Sequence, residues 1–297
     1  MKVLVFGGAG QVGREVSRAV WPPSFELFVL DRSAADIRDA AMVSAVIARR
    51  QPDLVINLAA YTAVDRAESE SDQAWAANCA GAAHIAASCG DNGTPLVHLS
   101  TDYVFDGAKG EPYNEDDRVN PLNVYGASKE AGERAVRAAA PHHIILRTAW
   151  VYGAYGANFV KTMLRLGAER PVLKVVADQH GCPTAAADIA TVLIAIARQI
   201  ERGTPRWGTF HFTAAGSTTW HGFAEEVVAL GQALGAWSSR PLPSVEPITT
   251  DQYPTAARRP MYSVLDCRTI ECFGILPPPW QSSLPAVLRE LIRAEGR

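Results

Sequence analysis

The sequence predicts an α/β fold with a doubly wound parallel sheet and a smaller C-terminal lobe. Five short apolar runs, of the kind that strands buried on both faces produce, alternate with helix-like stretches in the first half of the chain. This alternation is typical of βαβ units, whose right-handed crossovers place helices on both faces of a parallel sheet. After about residue 150 the alternation loosens, and proline and glycine interrupt the remaining helical segments.

Each predicted element rests on its own run of residues. The strands are expected at KVLVF (2–6), ELFVL (26–30), DLVINLA (53–59), PLVHLS (95–100) and HIILRT (143–148). Helices are expected near 11–20, 39–50, 71–89, 124–139, 157–168, 186–201 and 220–234. We divide the chain into a first domain, 1–150, and a second lobe formed mainly by 151–297, with some later segments returning to the first domain. Part of the second lobe is expected to cover the carboxyl ends of the strands, where open α/β sheets bind ligands.

Composition excludes several classes of protein. The chain has 297 residues, of which 48% are apolar and 20% charged, so it has enough apolar residues for a large core. Its formal net charge is −3 with dispersed charges, which argues against a nucleic acid or an anionic membrane as a partner. The apolar runs VLVF (3–6) and IATVLIAIA (189–197) are too short for a secretion signal and a membrane span, and we expect a cytoplasmic protein.

The cysteines are odd in number and form no CxxC pair. They are Cys79, Cys89, Cys182, Cys267 and Cys272. This pattern predicts reduced, buried thiols rather than disulfides or a zinc site.

A glycine-rich turn follows the first strand. In FGGAGQVG (6–13), Gly7, Gly10 and Gly13 have the spacing GxxGxxG and open a helix, so that backbone amides and the helix dipole can meet a pyrophosphate. The motif alone is weak, because tight strand-to-helix turns also use glycine. Asp31 strengthens it, since a carboxylate just after the second strand can accept hydrogen bonds from the adenosine ribose. We therefore predict a Rossmann-like dinucleotide site.

The residues around Asp31 leave the cofactor undecided. Arg32 places a guanidinium where it can hold a 2′-phosphate, so both NADH and NADPH are compatible with this stretch. Asp36 and Ile37 are candidates to face the adenine, but an ordinary surface loop explains them equally well.

A second group of polar residues lies near the fourth strand. Ser100 and Thr101 come at its carboxyl end and are expected to face the nicotinamide, while Tyr125 and Lys129 are one helical turn apart. A free tyrosine has a pKa of about 10, and a nearby ammonium favours its phenolate, which would bring the pKa of Tyr125 toward the working range. Thr101 would hydrogen-bond the substrate oxygen as charge develops on it.

A bare YxxxK pair is often only an exposed helix surface. Here it follows a βαβ series with a glycine motif, which favours a catalytic pair. Of the neighbouring charged residues, Glu130, Glu133 and Arg134 are expected to form a solvated helix surface.

Together these motifs resemble the extended short-chain dehydrogenase/reductase superfamily and, within it, the dTDP-4-dehydrorhamnose reductase family. The resemblance runs essentially end to end. The segments that carry it are NLAAYTAVDRAE (57–68), STDYVFDG (100–107), PLNVYGASKEAGE (121–133), RTAWVYG (147–153), NFVKTMLRL (158–166), VVADQHGCPT (175–184) and FHFTAAGSTTWHGFA (210–224).

The resemblance implies a role for particular residues. Tyr125 would be the proton donor, Lys129 would bind the nicotinamide ribose and tune the tyrosine, and Thr101 would complete the triad. The remaining residues with implied roles are Gly10, Gln11 and Val12 at the pyrophosphate, Ala60, Tyr61 and Thr62 beside the cofactor, and Asp102, Trp150 and Arg259 at the substrate. Ordinary alternatives are a turn cap for Asp102, a core position for Trp150 and, for Arg259 with Arg258 and Pro260, a solvated charge pair.

The resemblance also implies reduction of the C4 ketone of a dTDP-linked 6-deoxy-4-keto sugar by NADPH or NADH, in a homodimer. Related dehydratases place Asp and Glu after the catalytic Thr, whereas here Asp102 is followed by Tyr103, so the eliminating base is missing. Two alternatives remain: a reductase of another nucleotide-linked sugar, and a non-catalytic, cofactor-binding regulatory subunit of the methionine adenosyltransferase type. Family members can hold Mg²⁺ through acidic residues; Glu15 and Glu290 are suitably placed but Ala187 is not acidic, so we assign no metal ligands.

Overall fold

The computed structural model describes residues 1–237 and 241–295. The strands are β1 (Lys2–Phe6), β2 (Glu26–Leu30), β3 (Leu54–Asn57), β4 (Leu96–Thr101), β5 (His143–Thr148), β6 (Val151–Tyr152), β7 (Val172–Val176), β8 (His180–Gly181), β9 (Thr184–Ala185), β10 (Gly208–His211), β11 (Thr218–Thr219) and β12 (Ser244–Ile248). The helices are α1 (Gln11–Arg18), α2 (Ala40–Arg50), α3 (Val64–Ala67), α4 (Ser71–Trp75), α5 (Ala82–Asn92), α6 (Val124–Ala139), α7 (Phe159–Glu169), α8 (Ala186–Glu201), α9 (Trp220–Ala233) and α10 (Leu284–Glu295).

Six parallel strands form the main sheet, in the order β10-β5-β4-β3-β1-β2. The predicted fold class is confirmed, and all five predicted strands are present. The sixth strand, β10, was not predicted. It pairs with β5 and forms one edge of the sheet, while β2 forms the other. Because β2 is an edge strand, its residues are partly exposed, so the expectation of burial on both faces is wrong for this strand.

Side chains alternate between the two faces of the sheet, and each face has its own core. Val3, Val5 and their counterparts on the other strands pack against α1 and α8. Leu4, Phe6 and their counterparts pack against α2, α5 and α6. Both α8 and β10 come from the chain after residue 150, so later segments do return to the sheet.

A third apolar core lies in the second half of the chain. It joins β7, α7, α9 and α10 around buried residues such as Phe223 and Trp237. Short strand pairs surround this core: β7 with β12, β8 with β11 and β6 with β9. The predicted helices are present, although the stretch predicted at 71–89 is α4 and α5 joined by a π-helical segment, Ala76–Gly81. Helices α3 and α10 were not predicted.

Helix α6 matters most for the site, and local sequence explains where it begins. The Asn123 side chain caps it by accepting a hydrogen bond from the Gly126 amide at 2.8 Å. Gly126 also permits close contact, because a Cβ there would overlap the carbonyl oxygen of Tyr103. The first turn of α6 is therefore held directly against the segment that follows β4.

The five cysteines are free thiols. Cys89 and Cys182 are buried, and burial raises the pKa of each to about 12. The other three are only partly buried, so the expectation of burial holds for two of the five. Within 1–237 and 241–295, no helix has both the length and the apolar character needed to cross a membrane.

Candidate active site

The glycine-rich turn joins β1 to α1, and its glycines have different structural roles. Gly7 has a φ of +91°, and a Cβ there would overlap the backbone at Ala59. A Cβ on Gly13 would overlap the Gly7 carbonyl oxygen, so these two glycines permit close packing of strand, turn and helix. Gly10 differs, because a Cβ there would meet only the Gly7 oxygen, at 3.3 Å.

Gly10 is also the exposed N-cap of α1 and offers no capping side chain. The first amides of the helix are thus directed into open space, where the helix dipole favours an anion. Beside it, Gln11 Oε1 accepts a hydrogen bond from Asn158 Nδ2 at 2.9 Å, and Val12 is buried in the core. The turn fits the pyrophosphate of a dinucleotide.

The two candidates for the ribose lie just beyond β2. Asp31 Oδ1 accepts hydrogen bonds from the Ser33 amide at 2.9 Å and the Ser33 hydroxyl at 2.6 Å, and these bonds lower the pKa of Asp31. The exposed Arg32 contacts Asp36 at 3.3 Å. A carboxylate and a guanidinium are therefore both available at this edge of the sheet.

Asp36 and Ile37, which the sequence offered either as adenine contacts or as an ordinary surface loop, lie between β2 and α2. Asp36 forms an ion pair with Arg38, whose hydrogen bonds hold the pKa of Asp36 far below its usual value. The Ile37 side chain is buried against Gly81. The structure thus gives both residues partners within the protein.

Ala60, Tyr61 and Thr62 follow β3 and lie next to the glycine-rich turn, since Gly7 packs on Ala59. The side chain of Asn78 fixes this segment: it accepts from the Tyr61 amide at 2.8 Å and donates to the Tyr61 carbonyl at 3.0 Å. The segment is partly exposed, as a cofactor-binding segment has to be.

Thr101 and Tyr125 meet at the carboxyl end of β4. Burial raises the pKa of Tyr125 to about 12, and hydrogen bonding to Thr101 opposes that rise. The Thr101 hydroxyl also contacts Asp102 Oδ1 at 3.0 Å. The sequence predicted that the pKa of Tyr125 would be lowered, and the structure shows the opposite direction because burial outweighs the opposing contacts.

Lys129 lies one turn further along α6 and is buried. Its Nζ donates to the Leu99 carbonyl at 2.7 Å and contacts His98 Nε2 at 3.4 Å. Burial lowers the pKa of Lys129 to about 8, while the charge of Glu133 opposes that change. Tyr125 therefore meets Thr101, while Lys129, one turn further along α6, makes its hydrogen bonds to β4 rather than to the tyrosine.

Asp102 is a fully buried carboxyl group. Burial raises its pKa to about 6, and hydrogen bonding from Ser263 and Thr101 opposes the rise. Its Oδ2 atom has no hydrogen-bond partner among the described residues. Thr148 on the neighbouring strand, the register partner of Thr101, likewise has a buried Oγ1 without a partner in the described part of the chain. Polar atoms without a partner among the described residues therefore lie at the end of β5 and just after β4.

Two expectations about this region are wrong. Ser100 does not face the nicotinamide position, because its hydroxyl donates to Glu133 Oε1 at 2.6 Å inside the protein. Glu133 is fully buried rather than solvated, because Arg147 on β5 forms an ion pair with it at 2.8 Å. Glu130 and Arg134 pair at 3.2 Å, but only Arg134 is exposed; the Glu130 side chain is half-buried, so the expected solvated surface holds for Arg134 alone.

Trp150 lies just past β5 in a constrained conformation. Its φ is +46°, and its ring stacks on Trp220. Gly181 packs against the same indole, where a Cβ would overlap it. Trp150 is partly exposed, so it is an aromatic surface at the carboxyl end of the sheet and not simply a core residue.

Arg259 reaches the same region but is already paired. Its Nη1 and Nη2 atoms donate to the two carboxylate oxygens of Asp65 at 3.0 and 2.7 Å. The Arg258 carbonyl accepts from Asn123 Nδ2 at 2.7 Å, and Pro260 packs against Gly107. The AARRP segment therefore lies across the start of α6, and Arg259 is not a solvated charge.

The residues around Glu15 do not fit a Mg²⁺ site. Glu15, Ala187 and Glu290 line one surface cavity of about 850 Å³. Between the carboxylates lies Arg18, whose Nη1 is 2.8 Å from Glu290 and 3.8 Å from Glu15. Ala187 supplies no ligand atom, and no group of three or more His, Cys, Asp or Glu within 1–237 and 241–295 is arranged to hold a metal.

The sequence interpretation missed the roles of Glu133, Trp220 and Ser263. A signal existed for Glu133: it follows Lys129 by four residues, hence it lies on the same face of α6. The partner also left a signal, because Arg147 is a charged residue inside an apolar strand run. Trp220 and Ser263 left none, since their contacts depend on how distant segments pack.

Three features define the class of extended short-chain dehydrogenases/reductases. They are the parallel sheet, the glycine-rich turn after β1, and the Thr101 and Tyr125 hydroxyls with the Lys129 amine. Over residues 1–293 the chain matches the family described as RmlD substrate binding domain. It is 43% identical over 286 residues to a dTDP-4-dehydrorhamnose reductase of Aggregatibacter actinomycetemcomitans, covering 95% of this chain and 97% of the relative. It is 44% identical over 300 residues to the enzyme of that name from Sinorhizobium fredii, covering 100% and 99%.

A solved structure supports the same assignment. The dTDP-4-dehydrorhamnose reductase of Bacillus anthracis, in complex with NADP, matches with a TM-score of 0.88 at 36% identity, covering 97% of this chain and 99% of that one. The chain belongs to the dTDP-4-dehydrorhamnose reductase family.

Proposed function

We propose that this protein reduces the C4 ketone of dTDP-4-dehydro-L-rhamnose to dTDP-L-rhamnose with NADPH or NADH, as the last step of dTDP-rhamnose biosynthesis. The observation that carries the proposal is the cluster of Thr101, Tyr125 and Lys129 at the carboxyl end of β4, where open α/β sheets bind ligands. The relatives that share the whole chain are named for this activity.

The protonation state of Tyr125 suits a proton donor. With its pKa raised to about 12 by burial, the phenol is protonated at neutral pH, as a donor to the ketone oxygen must be, but it is a weaker acid than free tyrosine until a neighbouring positive charge lowers that pKa. Thr101 would hydrogen-bond the same oxygen as negative charge develops on it. The bound nicotinamide supplies the hydride, and Lys129 would hold the nicotinamide ribose.

The substrate contacts follow from the same end of the sheet. Asp102, whose Oδ2 has no hydrogen-bond partner within 1–237 and 241–295, and Trp150, with its partly exposed indole, are proposed to contact the sugar. Arg259 would face the diphosphate if that group replaced Asp65 as its partner. We further propose that residues 1–150 mainly hold the cofactor while the later lobe holds the dTDP-sugar, in a cytoplasmic homodimer.

The direct test follows the absorbance of NADPH or NADH with the enzymatically generated dTDP-4-keto sugar. Replacing Tyr125 by Phe should lower kcat by about 10²- to 10⁴-fold, the usual contribution of a positioned acid, while cofactor binding is retained. Tyr253→Phe, at an exposed position, is the matched control and should behave as the wild type. Equal rates in wild type and Tyr125→Phe would remove the assigned role, and cofactor binding without any turnover would favour a regulatory binding protein.

The open cofactor and nucleotide choices can be tested with the same assay. If Arg32 holds a 2′-phosphate, Arg32→Ala should raise the KM for NADPH and leave that for NADH unchanged. Replacing dTDP by UDP or GDP in the substrate tests the nucleotide preference.

A further inference from the structure

Helix α6, which carries Tyr125 and Lys129, is joined to the sheet by a buried ion pair. Glu133 is 0% exposed and Arg147 on β5 is 2% exposed. Arg147 Nε donates to Glu133 Oε1 at 2.9 Å, and Nη2 donates to Oε2 at 2.8 Å. Two parallel bonds of this kind fix the direction of approach as well as the distance.

Each carboxylate oxygen of Glu133 has a second donor. The Ser100 hydroxyl donates to Oε1 at 2.6 Å, and Arg137 Nη2 donates to Oε2 at 2.7 Å. Ser100 and Arg147 are register partners on β4 and β5. Glu133 is therefore fixed to two neighbouring strands at once, and we call Glu133, Arg147 and Ser100 the α6 brace.

Arg147 is fixed from its far side as well. Its Nη1 contacts His211 Nε2 at 3.3 Å, and His211 Nδ1 contacts the Tyr113 carbonyl at 3.1 Å. Burial lowers the pKa of His211 to about 3, so the ring is neutral; Nδ1 then donates to Tyr113 and Nε2 accepts from Arg147. The Phe105 ring lies 5.1 Å from the guanidinium. The guanidinium is thus held by three different elements.

Stability alone gives little reason for this arrangement. Well-packed apolar residues of similar size hold a helix to a sheet as firmly as a buried ion pair, because removing two charges from water is costly. Directional hydrogen bonds, unlike apolar contacts, define both the distance of α6 from the sheet and the rotation of α6 about its own axis. In a reductase, a misplacement of about 1 Å at the reacting groups can lower the rate about 10²-fold.

The brace lies close to the reacting groups. Tyr125, Lys129 and Glu133 follow one another at intervals of four residues along one face of α6. On the sheet, Ser100 immediately precedes Thr101, so the brace adjoins Thr101 through the backbone and Lys129 through one turn of α6.

We propose that Glu133 is a positioning residue: through Arg147 and Ser100 it sets the placement of Tyr125 and Lys129 against the end of β4. The kinetic part of this proposal rests on the proposed function. The charge of Glu133 opposes the lowering of the Lys129 pKa by burial, so loss of that charge should lower the pKa of Lys129 further.

The first experiment compares Glu133→Gln with Glu130→Gln. The two changes remove the same charge from the same helix, but the ion-pair partner of Glu130 among the described residues is the exposed Arg134 rather than a residue of the sheet. Per folded molecule, measured by circular dichroism, Glu133→Gln should lower kcat at least tenfold with KM within about twofold, and the alkaline limb of the pH–kcat profile should move to lower pH. Glu130→Gln should match the wild type in all three.

A second variant covers the case in which Glu133→Gln leaves Arg147 unpaired and does not fold. In Glu133→Leu/Arg147→Met both charges are absent, and such replacements of buried pairs are often tolerated. This variant should fold and still show the loss of kcat. Wild-type kcat and pH profile in the folded double variant would show that the brace is merely structural and overturn the proposal.

A third measurement does not need the sugar substrate. NMR of protein labelled with ¹³C at lysine Cε gives the pKa of Lys129. This pKa should be lower in Glu133→Gln than in the wild type. If Glu133→Gln is unfolded, the pKa of Lys129 in Glu133→Leu/Arg147→Met is compared with that in Arg147→Met and should be the lower of the two. An unchanged Lys129 pKa overturns the proposal. If the wild type reduces no dTDP-4-keto sugar, the proposed function fails, and this titration still decides the charge effect on Lys129.

Discussion

The indole of Trp150 lies flat on that of Trp220, with ring planes 6° apart and centroids 3.5 Å apart. Trp150 has a left-handed backbone, which a bulky residue seldom adopts, and such conformations persist only where neighbours enforce them. Phe159 packs against Trp220 from another direction, with centroids 4.8 Å apart. The Trp220 side chain thus helps to set the orientation of the Trp150 ring.

The first prediction concerns this stack. Trp220→Leu should raise the KM for the keto sugar about three- to tenfold, because a stacked aromatic pair contributes about 0.5 to 1.5 kcal/mol. The dissociation constant of the cofactor should not change. Trp207→Leu is the control, because Trp207 packs against His142 away from the site. A KM for the sugar equal to that of the wild type would contradict the role of the stack.

The second prediction separates the glycines of the first turn. Gly13→Ala should lower the free energy of unfolding by roughly 3 kcal/mol, because its Cβ overlaps backbone atoms. Gly10→Ala should lower it by less than about 1 kcal/mol, the difference between these residues at a helix N-cap. It should nevertheless weaken cofactor binding about tenfold, the loss of one hydrogen bond to a charged group.

Urea denaturation and fluorescence titration with NADPH measure these two quantities. The expectation fails if Gly10→Ala binds NADPH as tightly as the wild type, since Gly10 would then not border the pyrophosphate.

The third prediction concerns pH and Asp102. Its pKa is raised from 3.8 to about 6, so between these values the folded protein binds more protons than the unfolded chain, and stability falls as pH rises. Asp102→Asn removes this loss of stability with rising pH. At pH about 7.5 the variant should be more stable than the wild type by up to about 3 kcal/mol, and near pH 4 the difference should disappear.

Asp106→Asn provides a control of opposite sign. Hydrogen bonds, the largest from Asn120, lower the pKa of Asp106, so its ionised form stabilises the fold above its ordinary pKa. Neutralising Asp106 should therefore reduce stability at neutral pH. Urea denaturation at the two pH values measures both variants, and a loss of stability in Asp102→Asn at neutral pH would contradict the first expectation.

The fourth prediction concerns divalent cations. Because Arg18 already neutralises Glu15 and Glu290, EDTA or added Mg²⁺ should leave the activity, Tm and oligomeric state of the wild type unchanged. Arg18→Ala/Ala187→Glu supplies a third carboxylate and removes the guanidinium, so its Tm should rise with Mg²⁺ concentration. Arg18→Ala/Ala187→Gln, without the added charge, should respond less. An equal rise in the wild type would contradict the assignment.

Much of the fold follows from local patterns, because apolar runs and caps such as Asn123 act over a few residues. The strand β10 escaped prediction for a physical reason: Gly208–His211 is a short edge strand preceded by glycine and proline, and it carries only one buried apolar face. Its pairing with β5 joins residues more than sixty positions apart, which periodicity does not reveal.

The candidate site likewise has features that local sequence predicts and features that depend on the whole fold. The spacing of Tyr125 and Lys129 follows from helical geometry, and the structure brings Tyr125 to Thr101. Lys129 reaches the Leu99 carbonyl on the same strand. The burial of Glu133 was mispredicted because a glutamate in a helix is usually solvated, and its partners on the sheet, Ser100 and Arg147, are brought side by side by the register of β4 and β5. The direction of the Tyr125 pKa was mispredicted because the depth of burial depends on the whole fold.

The position of β10 also determines when the sheet can be completed during synthesis and where the chain can be truncated. Truncation at residue 150 would leave β5 as a bare edge, remove α8 from one face of the sheet and separate Arg147 from His211. An exposed edge of this kind invites pairing with other chains. During synthesis the six-stranded sheet cannot be completed until residue 211 has left the ribosome. The two halves are not detachable modules, and exchange of the second half between relatives would have to carry α8 and β10 with the first.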